Sequence, residues 1–258
     1  MYETIKYEIN NRVAKVTFNR PEVRNAFNWK MVEELIRVFN ALKSNNDVRV
    51  VILTGEGTSF CAGADLNWMK DVMNKSFKEN YDESLRLAEL FYLIYSLPKP
   101  VVGRINGPAI GGGTGFVSVC DIAIASVNAK FSFSEVRIGL VPSDISPFMI
   151  RKCGEGRIRE YFLTGRRLSA EDALRIGLVN RVVEHEKLDT AVSEVVEELL
   201  KGSPNAIRAC KELLEKVPLQ QFDNVKDFTA TILANLRKSK EAQEGMKAFL
   251  EKRKPGWT

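Results

Sequence analysis

Apolar residues recur along the chain at two spacings, one typical of buried strands and one typical of amphipathic helices. The first segments predict two strands, at 4–10 and 13–19, and Asn10-Asn11 between them tolerates the positive φ of a hairpin turn. Residues 28–42 have the helical spacing. Their apolar stripe is Met31, Leu35, Val38, Phe39 and Leu42. The next segment, 48–55, is apolar without alternation, which indicates a strand covered on both faces.

Strands and helices continue to alternate as far as about residue 187. A helix is predicted over 79–97, where Pro98 ends it, and an apolar strand follows over 99–106. The stripe of that helix is Tyr81, Leu85, Ala88, Leu90, Phe91 and Ile94. The later predicted elements are a helix over 111–121, strands over 121–126 and 129–135, helices over 154–165 and 169–178, and a last strand around 178–183.

From Leu188 onward, the pattern predicts three or more helices and no strand. Strands that alternate with helices predict an α/β fold. We therefore expect a core domain over residues 1–187 and a helical C-terminal region over residues 188–258.

Composition narrows the class of protein without changing this picture. Of the 258 residues, 45% are hydrophobic and 28% are charged, values typical of a folded globular protein and not of a disordered chain. The formal net charge of +5 lies entirely after residue 200, where there are 12 Lys and Arg but only 7 Asp and Glu. A mild excess of this kind could indicate a nucleic-acid surface or only a basic corner, and its position assigns it to the C-terminal tail of an otherwise neutral chain.

Histidine and cysteine usage excludes several kinds of chemistry. The single histidine, His185, lies in a polar stretch and is expected at the surface, so we expect neither a Ser-His-Asp triad nor a histidine metal site. The four cysteines form no C-x-x-C pair, which favours a reducing compartment. The N-terminus does not resemble a signal peptide, and no stretch reaches 18 apolar residues. We therefore expect a cytoplasmic protein with neither a membrane span nor a metal.

Two segments of small residues follow buried strands and are candidates for binding a ligand through backbone N–H groups. They are SFCAGADL at 59–66 and NGPAIGGGTG at 106–115. Small residues let the backbone approach a ligand closely, and free N–H groups can hold an oxyanion. The alternative for each is a tight strand-to-helix turn without a ligand. Cys61 is better explained as a small buried residue than as a nucleophile, because no histidine is near it in sequence.

The third candidate is Glu135, in the segment FSFSEVRIGLVP at 131–142. It stands among apolar and small residues, where desolvation would raise its pKa toward the range useful for proton transfer. The alternative is a structural ion pair with Arg137 or another cation.

Seven motifs, in order, resemble those of the enoyl-CoA hydratase/isomerase family, also called the crotonase family. They are NRPEVRNAFN at 19–28, FCAGADL at 60–66, NGPAIGGGTG at 106–115, CDIAIAS at 120–126, FSFSEVRIGLVP at 131–142, LTGRRLSAEDALRIGLVN at 163–180 and EGMKAFLEKRK at 244–254. The resemblance implies a crotonase-like spiral of β-β-α units with a helical C-terminal oligomerisation region. It also implies an acyl-CoA substrate, no further cofactor, and a homo-trimer or a hexamer built as a dimer of trimers.

The resemblance also implies roles for single positions. Two backbone N–H groups that bind the thioester oxygen match Ala64 and Gly112, and one catalytic glutamate of the family matches Glu135. Asp121 matches an aspartate that we interpret as structural. Further positions match residues that contact CoA, the last two from the C-terminal helix of a neighbouring subunit. These positions are Arg24, Ala26, Ala62, Ala64, Leu66, Gly112, Phe249 and Lys252.

One position departs from the family pattern. Typical hydratases have a second glutamate in the glycine-rich helix, where this chain has Gly115. The motifs are nevertheless most similar to bacterial methylglutaconyl-CoA hydratase-like members. The leading hypothesis is therefore reversible hydration of a 2-enoyl-CoA, with 3-methylglutaconyl-CoA as a candidate substrate. Glu135 would be the principal acid/base, and Ser143 and Asp144 could assist it.

Two alternatives remain open. A Δ3-Δ2-enoyl-CoA isomerase needs only one carboxylate to move a proton between carbons 2 and 4, so the glycine at position 115 favours it chemically. An RNA-binding protein on the same scaffold is disfavoured, because the charge excess is small and the retention of Glu135 would be unexplained.

Overall fold

The computed structural model describes residues 2–257, which form nine strands and eleven α-helices. The strands are β1 (Ile5–Asn10), β2 (Val13–Phe18), β3 (Val50–Gly55), β4 (Val101–Ile105), β5 (Ala109–Ile110), β6 (Ile122–Ser126), β7 (Lys130–Ser132), β8 (Leu168–Ser169) and β9 (Arg181–Val183). The helices are α1 (Trp29–Ser44), α2 (Leu66–Val72), α3 (Phe77–Tyr95), α4 (Gly112–Ser118), α5 (Ser146–Cys153), α6 (Glu155–Thr164), α7 (Ala170–Arg175), α8 (Leu188–Lys201), α9 (Pro204–Lys216), α10 (Phe222–Lys238) and α11 (Lys240–Leu250).

The strands form two sheets. The larger has the order β1-β2-β3-β4-β6-β9 and is parallel except for the antiparallel β1–β2 hairpin. In that hairpin, Asn10 pairs with Val13, so the two turn residues are Asn11 and Arg12, with φ of 47° and 65°. The predicted turn was therefore wrong by one residue, because Asn10 belongs to the ladder and a two-residue turn of this kind needs positive φ at both central positions.

Helix α1 confirms the predicted stripe, since all five of its apolar residues are buried in the main core. Asn28 caps this helix by accepting a hydrogen bond from the Met31 N–H at 3.0 Å. Helix α3 confirms its stripe only in the second half. Leu90, Phe91 and Ile94 are buried there. In the first half, Tyr81 and Leu85 are exposed because this part of the helix extends past the core.

The smaller sheet, β5-β7-β8, produces the spiral. Strand β4 lies in the larger sheet, β5 lies in the smaller one, and α4 follows; β6 and β7 repeat the same step. One turn earlier, β3 is followed by Cys61, which forms a parallel bridge with Ala109 of β5, and then by α2. Each turn of the spiral thus adds one strand to the larger sheet and one strand or bridge to the smaller sheet, as expected for β-β-α units.

The C-terminal helices differ in how they pack. Helix α8 lies on the larger sheet, where Leu188 and Val192 pack with Val50, Val102 and Ile124 in a second core cluster. Only Ala209 and Ala248 are buried in α9, α10 and α11. The predicted boundary at residue 188 stays a prediction, since contacts with the sheet continue beyond it. No helix in the described part of the chain is both long and apolar enough to cross a membrane.

Candidate active site

Ala64 and Gly112 occupy equivalent places in two successive turns of the spiral. Cys61 and Ala109 are parallel partners, and the Ile110 N–H donates to the Cys61 carbonyl oxygen at 3.0 Å. Ala64 and Gly112 each lie three residues beyond these partners, so they occupy corresponding positions although they are 48 residues apart in sequence. The pairing of the two turns therefore brings the two predicted oxyanion positions together.

Phe27 lies against both positions. Ala64 forms a parallel bridge with Phe27, and a β-carbon on Gly112 would lie only 2.7 Å from Phe27 Cζ. A side chain at position 112 would therefore collide with the ring. The glycine allows α4 to begin directly beside the ring and close to Ala64.

The N–H groups of Ala64 and Gly112 are available to a ligand. The Phe27 N–H donates to the Gly63 carbonyl at 2.8 Å, and the Asp65 N–H donates to the Phe27 carbonyl at 2.9 Å. Successive N–H groups of an extended chain point to opposite sides, so the Ala64 N–H points away from Phe27. Gly112 is the first residue of α4, where the N–H has no partner within the helix. Within residues 2–257, neither N–H donates to a protein acceptor.

Glu135 lies against the residue that precedes Gly112. A β-carbon on Gly111 would lie 3.0 Å from Glu135 Oε1. The other oxygen, Oε2, is buried and has no hydrogen-bond partner among the described residues. Burial raises the pKa of Glu135 above its ordinary value, because desolvation disfavours the ionised form. Among residues 2–257, Glu135 forms no ion pair, and Arg137 instead donates to the Thr164 carbonyl at 3.2 Å.

Gly115 lies in the first turn of α4, and its N–H donates to the carbonyl oxygen of Gly111, the residue before the helix, at 3.3 Å. A β-carbon on Gly115 would overlap Ile145 Cγ2 and lie 3.0 Å from Phe91 Cζ. Ile145 is only 2% exposed. Two apolar side chains therefore fill the space beside the position where the resemblance expects a second glutamate.

Ser143 and Asp144 lie just before α5. The Ser143 hydroxyl donates to Asp144 Oδ1 at 3.2 Å, and burial raises the pKa of Asp144. No described contact joins either side chain to Glu135 or Gly112, so their assistance in proton transfer stays a prediction.

Four of the predicted CoA-binding positions lie in two neighbouring segments, residues 24–27 and 62–66, which we call the Ala64 corner. They are Arg24, Ala26, Ala62 and Leu66. The Ala62 N–H donates to the Arg24 carbonyl at 3.0 Å, which joins the two segments. Arg24 is exposed, whereas Ala26 is buried. Leu66 begins α2 and is 73% exposed. The structure thus brings these positions together, while their contacts with CoA stay a prediction.

Phe249 and Lys252 lie outside this corner of the same chain. Both are exposed, and among residues 2–257 no hydrogen bond or ion pair joins them to Ala64 or Gly112. The Trp257 carbonyl, five residues beyond Lys252, accepts a hydrogen bond from Arg49 at 2.8 Å, next to the amino end of β3. Ala64 follows the carboxyl end of β3. The contact of Phe249 and Lys252 with the CoA of a neighbouring subunit stays a prediction.

Cys61, Asp121 and His185 lie in surroundings that give them no part in the candidate site. Cys61 is fully buried, and burial raises its pKa to about 12, so it does not provide a thiolate. Asp121 accepts a hydrogen bond from the Val101 N–H at 2.7 Å and pairs with Lys211 at 2.5 Å, contacts that connect β4 to α9. His185 is exposed, as predicted. No group of three or more metal-ligating side chains occurs in the part of the chain that the structure describes.

Sequence reasoning missed two features of this site. Ile145 gave no signal, because its contact with Gly115 joins residues 30 apart in the chain. Asp65 did give a sequence signal, because an aspartate directly before a helix is a typical N-cap. Its side chain accepts a hydrogen bond from the Asn67 N–H at 2.8 Å.

Comparison with known proteins identifies the family. Residues 8–258 match the family described as enoyl-CoA hydratase/isomerase. A short-chain-enoyl-CoA hydratase of Clostridium acetobutylicum is 34% identical over 252 residues, which cover 96% of this chain and 94% of that protein. A trans-2-decenoyl-acyl-carrier-protein isomerase of Streptococcus mutans is 31% identical over 262 residues, which cover 100% and 98%.

The fold agrees with these relatives. A crystal structure of an enoyl-CoA hydratase from Shewanella pealeana superposes with a TM-score of 0.96 at 35% identity and covers 99% of this chain and 96% of that chain. The chain therefore belongs to the enoyl-CoA hydratase/isomerase family and has the crotonase fold.

Proposed function

We propose that this protein reversibly hydrates a 2-enoyl-CoA with Glu135 as its single acid/base. The observation that carries the proposal is the buried, unpartnered Oε2 of Glu135 beside a helix that begins with a free Gly112 N–H. A carboxylate that can exchange a proton, next to two N–H donors, matches the needs of addition to a thioester-conjugated double bond.

The chemistry follows from these groups. The thioester oxygen accepts hydrogen bonds from the N–H groups of Ala64 and Gly112. The Glu135 carboxylate takes a proton from water as the water oxygen bonds to carbon 3, and the electron pair of the double bond moves toward the thioester oxygen. The two N–H groups stabilise that negative charge. Glu135 then returns its proton to carbon 2 on the same face.

A specific observation favours isomerisation as the second candidate. Position 115 is a glycine and so provides no second carboxylate, and Ile145 and Phe91 fill the space beside it. An isomerase needs Glu135 only to remove a proton from carbon 2 of a 3-enoyl-CoA and return it to carbon 4. The 31% identical Streptococcus mutans relative is named as an isomerase.

Product mass separates the two candidates. We expect purified protein to convert crotonyl-CoA or 3-methylglutaconyl-CoA to a product heavier by one water. A 3-enoyl-CoA converted to an isomer of unchanged mass, with no water added to 2-enoyl esters, would instead assign the isomerase. No conversion of any enoyl ester would contradict both candidates.

We also propose that the C-terminal helices join subunits into a trimer or hexamer. Large apolar side chains on these helices remain exposed in the single chain, as expected for a surface that another subunit covers. The most exposed are Phe222 at 93%, Phe249 at 82% and Leu250 at 78%.

Lys252 provides a test of the CoA site between subunits. We expect Lys252→Ala to raise KM for CoA esters more than it lowers kcat, because a contact with the CoA phosphates stabilises substrate and transition state alike. Steady-state kinetics with crotonyl-CoA would measure both constants. Lys187→Ala removes the same charge from an exposed site before α8 and should change neither. Equal KM values for the two variants would contradict the assignment.

A further inference from the structure

The largely buried ion pair between Arg20 and Asp65 lies directly beside Ala64, since Asp65 is the next residue in the chain. Arg20 Nη1 lies 2.8 Å from Asp65 Oδ2, and the two side chains are only 17% and 8% exposed. A buried pair of this kind is costly to desolvate and is therefore weak support for a purely stabilising role. Its location calls for a different explanation.

The same guanidinium nitrogen connects both chain segments that form the Ala64 corner. Arg20 Nη1 also donates to the Ala26 carbonyl oxygen at 2.6 Å. Ala26 precedes Phe27, the bridge partner of Ala64, and Asp65 follows Ala64. One nitrogen thus fixes the separation of the two segments on either side of the Phe27–Ala64 bridge.

Asp65 is also constrained by the helix that follows. Its carboxylate accepts the Asn67 N–H at 2.8 Å, and its own N–H donates to the Phe27 carbonyl at 2.9 Å. Burial tends to raise the pKa of Asp65, but the hydrogen bonds from Asn67 and Arg20 outweigh it and hold the pKa below its ordinary value. The pair is therefore charged, and the peptide between Gly63 and Asp65 is held at both ends.

We infer that Arg20 and Asp65 are positioning residues that aim the Ala64 N–H at the thioester oxygen. This inference rests on the proposed function. Since the contacts of Asp65 fix the direction of the peptide that carries the Ala64 N–H, loss of the ion pair tilts this donor away from the developing charge. A misplacement of about 1 Å in such a site costs about 100-fold in rate.

Asp65→Asn is the sharpest test. Asparagine keeps an oxygen to cap α2 and nearly the same volume, but it removes the charge that pairs with Arg20. We expect kcat and kcat/KM for crotonyl-CoA hydration to fall together by about 100-fold, with KM little changed, as for an interaction made in the transition state. Arg20→Lys, which keeps the charge, should retain more activity than Arg20→Met.

Asp121→Asn is the matched control. Asp121 also accepts one backbone N–H and pairs with one cation, Lys211, but it lies beyond the opposite end of α4 from Gly112. We expect this variant to keep its kcat even where its melting temperature falls. Equal losses of kcat in Asp121→Asn and Asp65→Asn would make the effect of Asp65 merely structural and overturn the inference.

A spectroscopic measurement separates positioning from folding. Butyryl-CoA has no double bond to hydrate, so its isotope-labelled thioester carbonyl can be observed by infrared difference spectroscopy while bound. We expect the wild-type protein to lower the stretching frequency relative to free butyryl-CoA, because the two N–H donors polarise the carbonyl. Asp65→Asn should return the frequency toward the free value.

The outcomes distinguish the inference from the proposal on which it rests. A lowered frequency that persists unchanged in Asp65→Asn overturns the positioning role alone. A wild-type protein that leaves the carbonyl frequency unshifted overturns the oxyanion site and the positioning role together. If Asp65→Asn does not fold, the comparison of Arg20→Lys with Arg20→Met decides: equal kcat and equal carbonyl frequencies in these two variants contradict the inference.

Discussion

Replacing Glu135 with glutamine is expected to reduce hydration of crotonyl-CoA by about two to four orders of magnitude. A positioned general acid/base contributes a factor of this size, and glutamine cannot accept and return the proton. The side-chain shape beside Gly111 is preserved, so binding of the thioester should change little. Initial rates at saturating substrate, with the wild-type protein measured in parallel, test this expectation. A variant with wild-type kcat would remove Glu135 from the mechanism.

Folding stability is the control for this variant. Burial raises the pKa of Glu135 in the folded protein, so the folded state disfavours the ionised form. The resulting destabilisation is absent below the ordinary value of 4.5 and grows as the pH rises through the raised folded pKa. Glu135→Gln should therefore be at least as stable as wild type at pH 7. Thermal melts at pH 4 and pH 7 would show whether an inactive variant is folded.

The rate of hydration should also depend on pH through the ionisation of Glu135. Because Glu135 must be ionised to take a proton from water, kcat/KM should rise with pH through the pKa of this group in the free enzyme. That rise should lie above pH 4.5, since burial raises the pKa. A rise centred below the ordinary glutamate value would contradict a buried base.

Gly115→Glu is expected to destabilise the protein strongly and not to improve hydration. The new β-carbon would overlap Ile145 Cγ2 and approach Phe91 Cζ, in a part of the core with no room for it. Overpacking costs about 1–3 kcal/mol, and a buried carboxylate without a partner costs about 3–5 kcal/mol when ionised. Denaturant unfolding at pH 7 should therefore show a loss of about 4 kcal/mol or more.

Two further variants divide this loss into its causes. Gly115→Ala introduces the overlap without the charge and should cost about 1–3 kcal/mol. Gly115→Glu combined with Ile145→Ala makes space for the carboxylate and should recover part of the stability. If the double variant also hydrates crotonyl-CoA faster than wild type, Ile145 is the side chain that excludes a second base. A fully stable Gly115→Glu single variant would contradict the observed packing.

Much of the fold could be predicted from the sequence because its signals are local. Apolar spacing predicted α1, and its five stripe residues are buried. Continuous apolar runs predicted β3 and β4, whose residues divide between two core clusters: Val51 and Val101 belong to the main one, and Val50 and Val102 belong to the second. The short helix α5 was not predicted although Pro147 lies in its first turn, because eight residues are too few to show a clear helical period. Tyr81 belongs to the predicted apolar stripe of α3 but is exposed, since helical spacing alone cannot show where the core ends.

The sequence likewise identified only the part of the candidate site that local motifs carry. Motifs within single segments identified Ala64, Gly112 and Glu135 as candidates, because small residues after a strand and a carboxylate among apolar residues are visible in the chain itself. The roles came from the resemblance to the family. Neither the local motifs nor the family resemblance could show that the Arg20–Asp65 pair lies beside Ala64, since that contact joins residues 45 apart.

The sequence by itself determined the α/β class, the helical C-terminal region and the family, because periodicity and motif order are properties of neighbouring residues. Only the tertiary structure decided that Cys61 bridges Ala109 and that Phe27 lies against both Ala64 and Gly112. It also decided that Ile145 fills the space beside Gly115. Both results depend on how successive turns of the spiral stack, a long-range register that no local pattern along the chain encodes.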